Sequence, residues 1–438
     1  MSRSVDPLIV FIKHRIIPLL LITLFLLFAI LGYKGSNKKF IGPPFGTMLG
    51  QDFRAVLRAS REIRDGNNPY VYAIELGKSM DFINFMNWEE APYVYPPILA
   101  IIMTPLLILG VNQALSAWMV FNLILLISIA FLAAKAFISN KSSLIIWMIL
   151  YLVIFFFFGP TQLEMKLGQV DILILFLLML TYFLYTKNND FAAIPLALAI
   201  SIKPFVVIMV IFFLWKRCYR MVLISFVSVA VLLFIGFLRV GVSSISSYFE
   251  VNRLWASGEL LAYPVNQSIN GFFQRVFTSN SYIQPLADLP WLAKSLPIIL
   301  GGLALLVWFL VVDRETKPGG DKIGFGLTVV TMMLISPLAE DIHFVWVLIP
   351  IAALLSMIDE GDQTPRSILY LIPAIAICVY LGLPDLNDAI YHGWEVLRNP
   401  NSLVEKGNLI FTGAYLFGLI GLEIYMLIYQ KIKYRMIT

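Results

Sequence analysis

The chain has 438 residues, 59% of them hydrophobic and 13% charged, with a formal net charge of +5. Soluble globular chains carry about 25% charged residues, so this composition excludes a single water-soluble core, a disordered chain and a fibrous repeat. With a mean hydropathy of +0.83, the sequence reads as an all-α polytopic membrane protein. Its modest positive charge fits cytoplasmic loop bias better than a nucleic-acid footprint.

The first apolar run, Ile16 to Tyr33, follows Arg3, Lys13 and Arg15 and precedes Lys34-Gly35-Ser36-Asn37-Lys38-Lys39. It is too long for a signal-peptide core and lacks a small-residue cleavage site, so a retained transmembrane helix with a cytoplasmic N-terminus is expected. The polar stretch 34–94 follows, the only one of its size. Within it Phe53, Val56, Leu57, Ser60 and Ile63 share one helical face, while Arg54, Arg58 and Arg61 share another. That stripe predicts a helix lying on the bilayer surface, ended by Asp65-Gly66-Asn67-Asn68-Pro69. Asp52, at its start, suits an N-cap.

Further apolar spans cover 98–110, 114–137, 143–158, 172–185, 221–240, 293–312, 323–335, 344–357, 368–383 and 410–429. Two segments are unusual. The span 98–110 is short and holds Pro105, and 191–214 is interrupted by Ser201-Ile202-Lys203-Pro204. A lysine and a proline at membrane depth predict a helix break lining a cavity, or a hairpin on one side. Depending on these two, residues 1–438 form one integral-membrane domain of about 10–12 transmembrane helices. Placing Lys141, Lys187, the 216–220 cluster, Arg314, Lys317, Arg366, Lys431, Lys433 and Arg435 inside leaves both termini cytoplasmic. The loops 34–94, 168–169, 241–290, 336–337 and 385–407 then face outward from the cell membrane. Cys218 and Cys378 are far apart, and three histidines are scattered. No disulfide framework or zinc spacing results.

Candidate polar groups stand at the outward ends of spans. Gly168-Gln169-Val170-Asp171 opens one, just after Glu164 and Lys166. Gln169 offers both a donor and an acceptor there, though an ordinary capping loop has the same composition. Lys203 in an apolar segment costs about 2.5–3.5 kcal/mol, so it needs a partner, a wet cavity or an interface to snorkel to, and neutralising it should relieve that cost. Asn266-Gln267-Ser268 is formally a glycosylation sequon but reads better as a polar loop returning to the membrane. Ser336-Pro337-Leu338-Ala339-Glu340-Asp341-Ile342-His343 places two carboxylates and an imidazole between two apolar runs.

The order of these pieces is more specific than any one of them. Asp52-Phe53, Gly66-Asn67-Asn68-Pro69-Tyr70, Tyr95-Pro96-Pro97, Pro105-Leu106 and Gly168-Gln169 come first. Then follow Ile202-Lys203-Pro204 with Trp215-Lys216-Arg217, Asn266-Gln267-Ser268 with Gly271 and Arg275, and Ser336-Pro337 with His343. This set resembles glycosyltransferase family 87, polytopic mannosyltransferase-like enzymes of the GT-C class. Val56 and Asp171 stand where that family often has Tyr and Asn. Glu340 and the single His343 replace its aromatic and paired histidines.

The resemblance implies a GT-C-like helical bundle and transfer of a sugar, mannose above all, from a polyprenyl phosphate. The acceptor would be a lipid-linked or glycolipid hydroxyl on the outer face, attacked with inversion and with Asp52 as base. It also implies donor- or acceptor-binding roles for Arg54, Tyr95, Gln169, Asp171, Lys203, Asn266, Gln267, Arg275 and His343. A phosphate leaving group needs no general acid. With neither a nucleotide-binding glycine loop nor a metal-spaced Asp-x-Asp, no metal or other cofactor is expected. Neither is a nucleic-acid or obligate protein partner; membrane lipids surround the chain. A secondary transporter or lipid flippase is the competing reading, suggested by the break at Lys203-Pro204 and the intramembrane Glu423, but the internal repeats it requires are not evident.

Overall fold

The computed structural model describes residues 15–23, 49–79, 91–255, 258–280, 282–315, 321–360, 372–382 and 413–437. Among these residues there are helices and turns and no strand; one isolated bridge pairs Asn266 with Glu340. The first expected transmembrane helix is described only over 15–23, helical from 17, and the loop 385–407 lies outside the described residues.

Helix α1, Gln51–Arg64, buries the expected face through Phe53, Val56, Leu57, Ser60 and Ile63. Protein covers that face, which corrects the expectation that it rests on lipid. Ser60 Oγ donates to Ala100 O at 2.8 Å, and Phe53 stacks on Trp118 with ring centroids 5.9 Å apart. An apolar stripe shows that a face needs cover without showing what supplies it. The capping expectation is corrected too. Gly50 is the N-cap, at φ +68°, and Asp52 is the second helical residue. Gly50 can take this left-handed turn, and a Cβ there would lie 2.7 Å from Leu115.

Helix α2 (Val71–Ser79) precedes α3 (Pro97–Met103), which runs into a 3-10 turn, Thr104–Ile108. The long α4 (Val111–Phe137) is followed by α5 (Leu144–Phe157) and α6 (Gly159–Leu167). Next come α7 (Asp171–Thr186), α8 (Ala193–Ile202), α9 (Met209–Trp215) and α10 (Tyr219–Val240). The stretch 241–290 carries α11 (Ser244–Trp255) and α12 (Ile269–Phe277), before α13 (Pro290–Val311) and α14 (Lys322–Ile335). A 3-10 turn, Asp341–Val347, leads into α15 (Leu348–Leu355). Helices α16 (Ile372–Gly382) and α17 (Ala414–Ile437) complete the described bundle.

Among the described residues, four segments are long and apolar enough to cross a membrane: Val111–Phe137, Tyr219–Val240, Pro290–Val311 and Asp341–Asp359. Lys141–Phe157 and Gly159–Leu167, bent by 61°, make a fifth if taken as one span. The expected spans at 98–110, 172–185, 191–214, 323–335 and 368–383 fall on shorter apolar helices. This is an all-α polytopic membrane protein. The break at Lys203 is real. Helix α8 stops at Ile202, Lys203 is extended at φ −124° and ψ 95°, and Pro204 opens a 3-10 turn before α9. Proline lacks the N–H for the helix ladder and pushes the preceding residue out of the helical region.

Helix α7 separates two polar ends. At its C-terminal end Tyr185 meets Asp321, which pairs with Lys216, and Trp215 Nε1 donates to Val312 O. At its N-terminal end lie Asp171, Lys203 and His343. The groups expected inside and those expected outside thus sit at opposite ends of one 16-residue helix, ~24 Å apart at 1.5 Å per residue. Helices α2 and α11 and their flanking turns are joined to each other: Lys78 pairs with Glu250 at 2.9 Å, and Asn68 Nδ2 donates to Ser247 Oγ at 2.8 Å.

Candidate active site

The start of α1 is docked on the turn that precedes α7. Gly50 N–H donates to Lys166 O at 2.9 Å, and Gly168 has φ +68°. A Cβ on Gly168 would stand 2.8 Å from Phe53 Cβ, so the two chains approach more closely than any side chain there would permit. Trp118 Nε1 holds the turn from α4, donating to Gly168 O at 2.9 Å and Gln169 O at 3.2 Å. Tyr95 OH donates to Gln169 Oε1 at 2.6 Å, which turns the amide so that its other end serves Asp52.

Lys203 is the centre of the buried cluster, 5% exposed. Its Nζ lies 2.6 Å from Asp171 Oδ1 and 2.8 Å from His343 Nε2. Trp346 Nε1 donates to Asp171 O at 3.1 Å, and its indole stacks on the His343 ring at 5.1 Å and 5°. Phe205, just past the break, packs against both rings. Glu164 caps α7, its Oε1 accepting from the N–H groups of Asp171 and Ile172. Asp171 thus neutralises the buried Lys203. The expectation that removing Lys203 relieves a cost is corrected: it would strand Asp171.

The imidazole carries a conflict. Glu340 N–H donates to His343 Nδ1 at 3.1 Å, and Nε2 faces the Lys203 ammonium at 2.8 Å. A neutral imidazole has one N–H and one acceptor nitrogen. Whichever nitrogen carries the proton, one of these contacts sets donor against donor. With Nδ1 accepting, Nε2–H and Nζ–H converge, and an anionic oxygen accepting from both would satisfy them.

The loop that delivers Glu340 and His343 is held by the Asn266 segment. Asn266 is fully buried; its Oδ1 accepts from Ser268 N and Ala339 N, while Nδ2 donates to Leu261 O and Pro337 O. Gln267 N–H donates to Ala339 O at 2.7 Å, and its Nε2 to Pro264 O at 2.6 Å. Arg275, also fully buried, donates through one terminal nitrogen to Tyr263 O and Asn266 O. Burial lowers its pKa to about 9. These three expected binding residues therefore brace the loop. Arg54 Nε is buried without a hydrogen-bond partner. Two residues after Asp52, it points about 200° away around α1.

Asp52, Tyr95, Gln169, Asp171, Lys203 and His343 are brought together from five separate stretches of chain. Asp52 is half-buried. Burial pushes its carboxyl up to about 8, with Glu340 and Asp171 adding to the rise and Lys203 and Gln169 opposing it. Glu340, also half-buried, is raised by burial and lowered by Lys203. It completes the ring and was not among the expected binding residues, nor were Glu164 and Trp346. The replaced histidine motif marked Glu340 in the sequence, and Trp346 stands one helical turn from His343; Glu164 had no such signal.

The chain can be set beside known proteins on this geometry. Among solved structures, ArnT from Cupriavidus metallidurans bound to undecaprenyl phosphate is 15% identical, over 94% of this chain and 77% of that one, with a TM-score of 0.36. No curated protein matches. The model for glycosyltransferase family 87 matches residues 93–337, from the tyrosines Tyr93 and Tyr95 to the Ser336-Pro337 turn. That is more than half of the sequence, and the protein belongs to glycosyltransferase family 87.

Proposed function

We propose that this membrane glycosyltransferase moves a sugar, mannose by family resemblance, from a polyprenyl phosphate to a hydroxyl of a lipid-linked or glycolipid acceptor on the outer face of the cell membrane. The observation that carries the reading is Lys203 Nζ and His343 Nε2, 2.8 Å apart and both donors when His343 Nδ1 accepts from Glu340 N–H, beside a half-buried carboxyl at Asp52. A phosphate oxygen placed between those donors is stabilised as negative charge builds on it. Lys203 keeps a further proton for this, since Asp171 takes one and a compact ammonium has three.

The acceptor oxygen attacks the anomeric carbon from the face opposite the phosphate. The carbon–phosphate oxygen bond breaks with its electron pair going to the phosphate, and Asp52 takes the hydroxyl proton. One displacement inverts the anomeric centre. Gln169 orients Asp52, and Tyr95 fixes Gln169. The lipid donor and the acceptor are the co-substrates, and the chain's own groups do the proton transfer without a metal.

The test is direct. Purified protein in a lipid bilayer is given radiolabelled polyprenyl-phosphate mannose and a membrane lipid extract, and the products are separated. A labelled glycolipid made by the wild type and absent with Asp52→Asn supports the reading. Equal product from both proteins would remove Asp52 as base, and no product from any lipid-linked sugar would remove the donor class.

A further inference from the structure

Glu340 has no task in the reaction as described, yet it is fixed at the site from two sides. Its backbone bridges to Asn266, and its N–H is committed to His343 Nδ1. Its side chain makes no capping bond to the turn it precedes, and among the described residues no salt bridge holds it. The carboxylate is half-buried, in electrostatic reach of Asp52, Asp171 and Lys203. Lys203 is already paired with Asp171.

A free anion here is unfavourable for a phosphate, which it repels. It is well suited to hydroxyls, because an ionised carboxylate accepts on both oxygens and such charge-assisted bonds are the strong ones. We infer that Glu340 is a specificity residue that holds two neighbouring sugar hydroxyls by accepting a hydrogen bond from each, next to the carboxyl that takes the acceptor's proton. This rests on the transferase reading above and adds what it leaves open: which group reads the sugar. The sugar selected here is therefore one with a hydroxyl pair aimed at residue 340. That pair belongs either to the transferred sugar or to the acceptor, and the two are separable by experiment.

Wild type and Glu340→Gln are compared in bilayers with polyprenyl-phosphate mannose in two arms. The first measures slow hydrolysis of the donor by water, which needs no acceptor sugar. The second measures transfer to octyl α-mannoside and its singly deoxygenated analogues. If Glu340 reads the acceptor, Glu340→Gln raises the acceptor KM ten- to hundredfold with no matching rise in the donor KM of hydrolysis, and no longer discriminates against one deoxy analogue that wild type rejects. If it reads the transferred sugar, hydrolysis shows the raised donor KM and the deoxy series keeps its pattern. In either case the acid limb of the rate profile moves to lower pH in the variant, because a charge beside Asp52, Lys203, Asp171 and Gln169 has gone. Glu340→Asp should recover part of the loss. Unchanged KM values in both arms with an unmoved limb would overturn the assignment while leaving the transferase intact. If wild type itself neither hydrolyses nor transfers the donor, the broader reading fails instead.

Discussion

Two buried lysines, at opposite ends of α7, show how the same pairing serves different ends. Lys216 lies 2.9 Å from Asp321, which also accepts from Tyr185 OH at 3.0 Å, and Lys216 donates to Asp313 O as well. One base meets one acid, and the surrounding groups close around them. Lys203 is equally buried and as closely paired with Asp171, but Asp52, Glu164, Glu340 and His343 crowd around it. At one end charge is cancelled and sealed. At the other, one lysine faces several carboxyls and an imidazole whose bonds conflict, so charge and hydrogen bonding are left unbalanced.

The sharpest way to break that contrast is at Asp52. Asp52→Asn should lower transfer by about a thousandfold, within the range for a lost general base. Its thermal stability should stay near wild type, since the folded protein already disfavours the charged form. Activity assays with parallel melting curves decide it; a variant that is inactive because it is unfolded would not count.

The next effect separates the lysines. Lys203→Met and Lys216→Met each strand a buried aspartate and should each destabilise by about 3–5 kcal/mol. Adding the matching Asn at Asp171 or Asp321 should restore most of that stability. Only the pair at Lys216 should recover transfer; Lys203→Met with Asp171→Asn should bind polyprenyl-phosphate sugar about ten- to a hundredfold more weakly. Equal recovery of activity by both double variants would erase the distinction.

A pH profile comes third. A base must be ionised, and with its pKa raised to about 8 the Asp52 carboxyl is mostly protonated at neutral pH. The rate kcat/KM should therefore fall about tenfold per pH unit below 8 and level off above it. Removing the positive charge at Lys203 should move that limb upward. The smallest effect is expected at Trp118→Phe, which deletes the donor to Gly168 O and Gln169 O. It should cost about 1 kcal/mol of stability and a few-fold in rate, read from melting and turnover together.

Much of this was readable from residues close together in sequence. The period of Phe53, Val56, Leu57, Ser60 and Ile63 gave the buried face of α1, and Pro204 gave the break after Ile202. Asp52, Gln169, Lys203 and His343 were found as points in an ordered pattern. What was not readable depends on pairings across long stretches of chain. Lys203 finds Asp171 32 residues away and His343 140 residues away, and no local spacing encodes that. Asn266 was expected to bind substrate only through the family resemblance, whereas its hydrogen bonds with the 337–339 backbone make it a brace. Gly50 hid the true cap of α1 because a left-handed glycine leaves no side chain to recognise.

A 61° bend between α5 and α6 redirects the chain at Phe158. Helix α5 has 14 residues, ~21 Å of helix, against the ~30 Å of a hydrocarbon core. Beyond the bend, α6 carries the chain to the Gly168-Gln169 turn. Helices α7 and α14, of 16 and 14 residues, are also short. Helix α14 is buried along nearly its whole length, so its shortness is matched by the surrounding protein and not by lipid. On the transferase reading proposed above, a prenyl phosphate held at Lys203 would keep its tail in the hydrocarbon while its sugar meets Asp52.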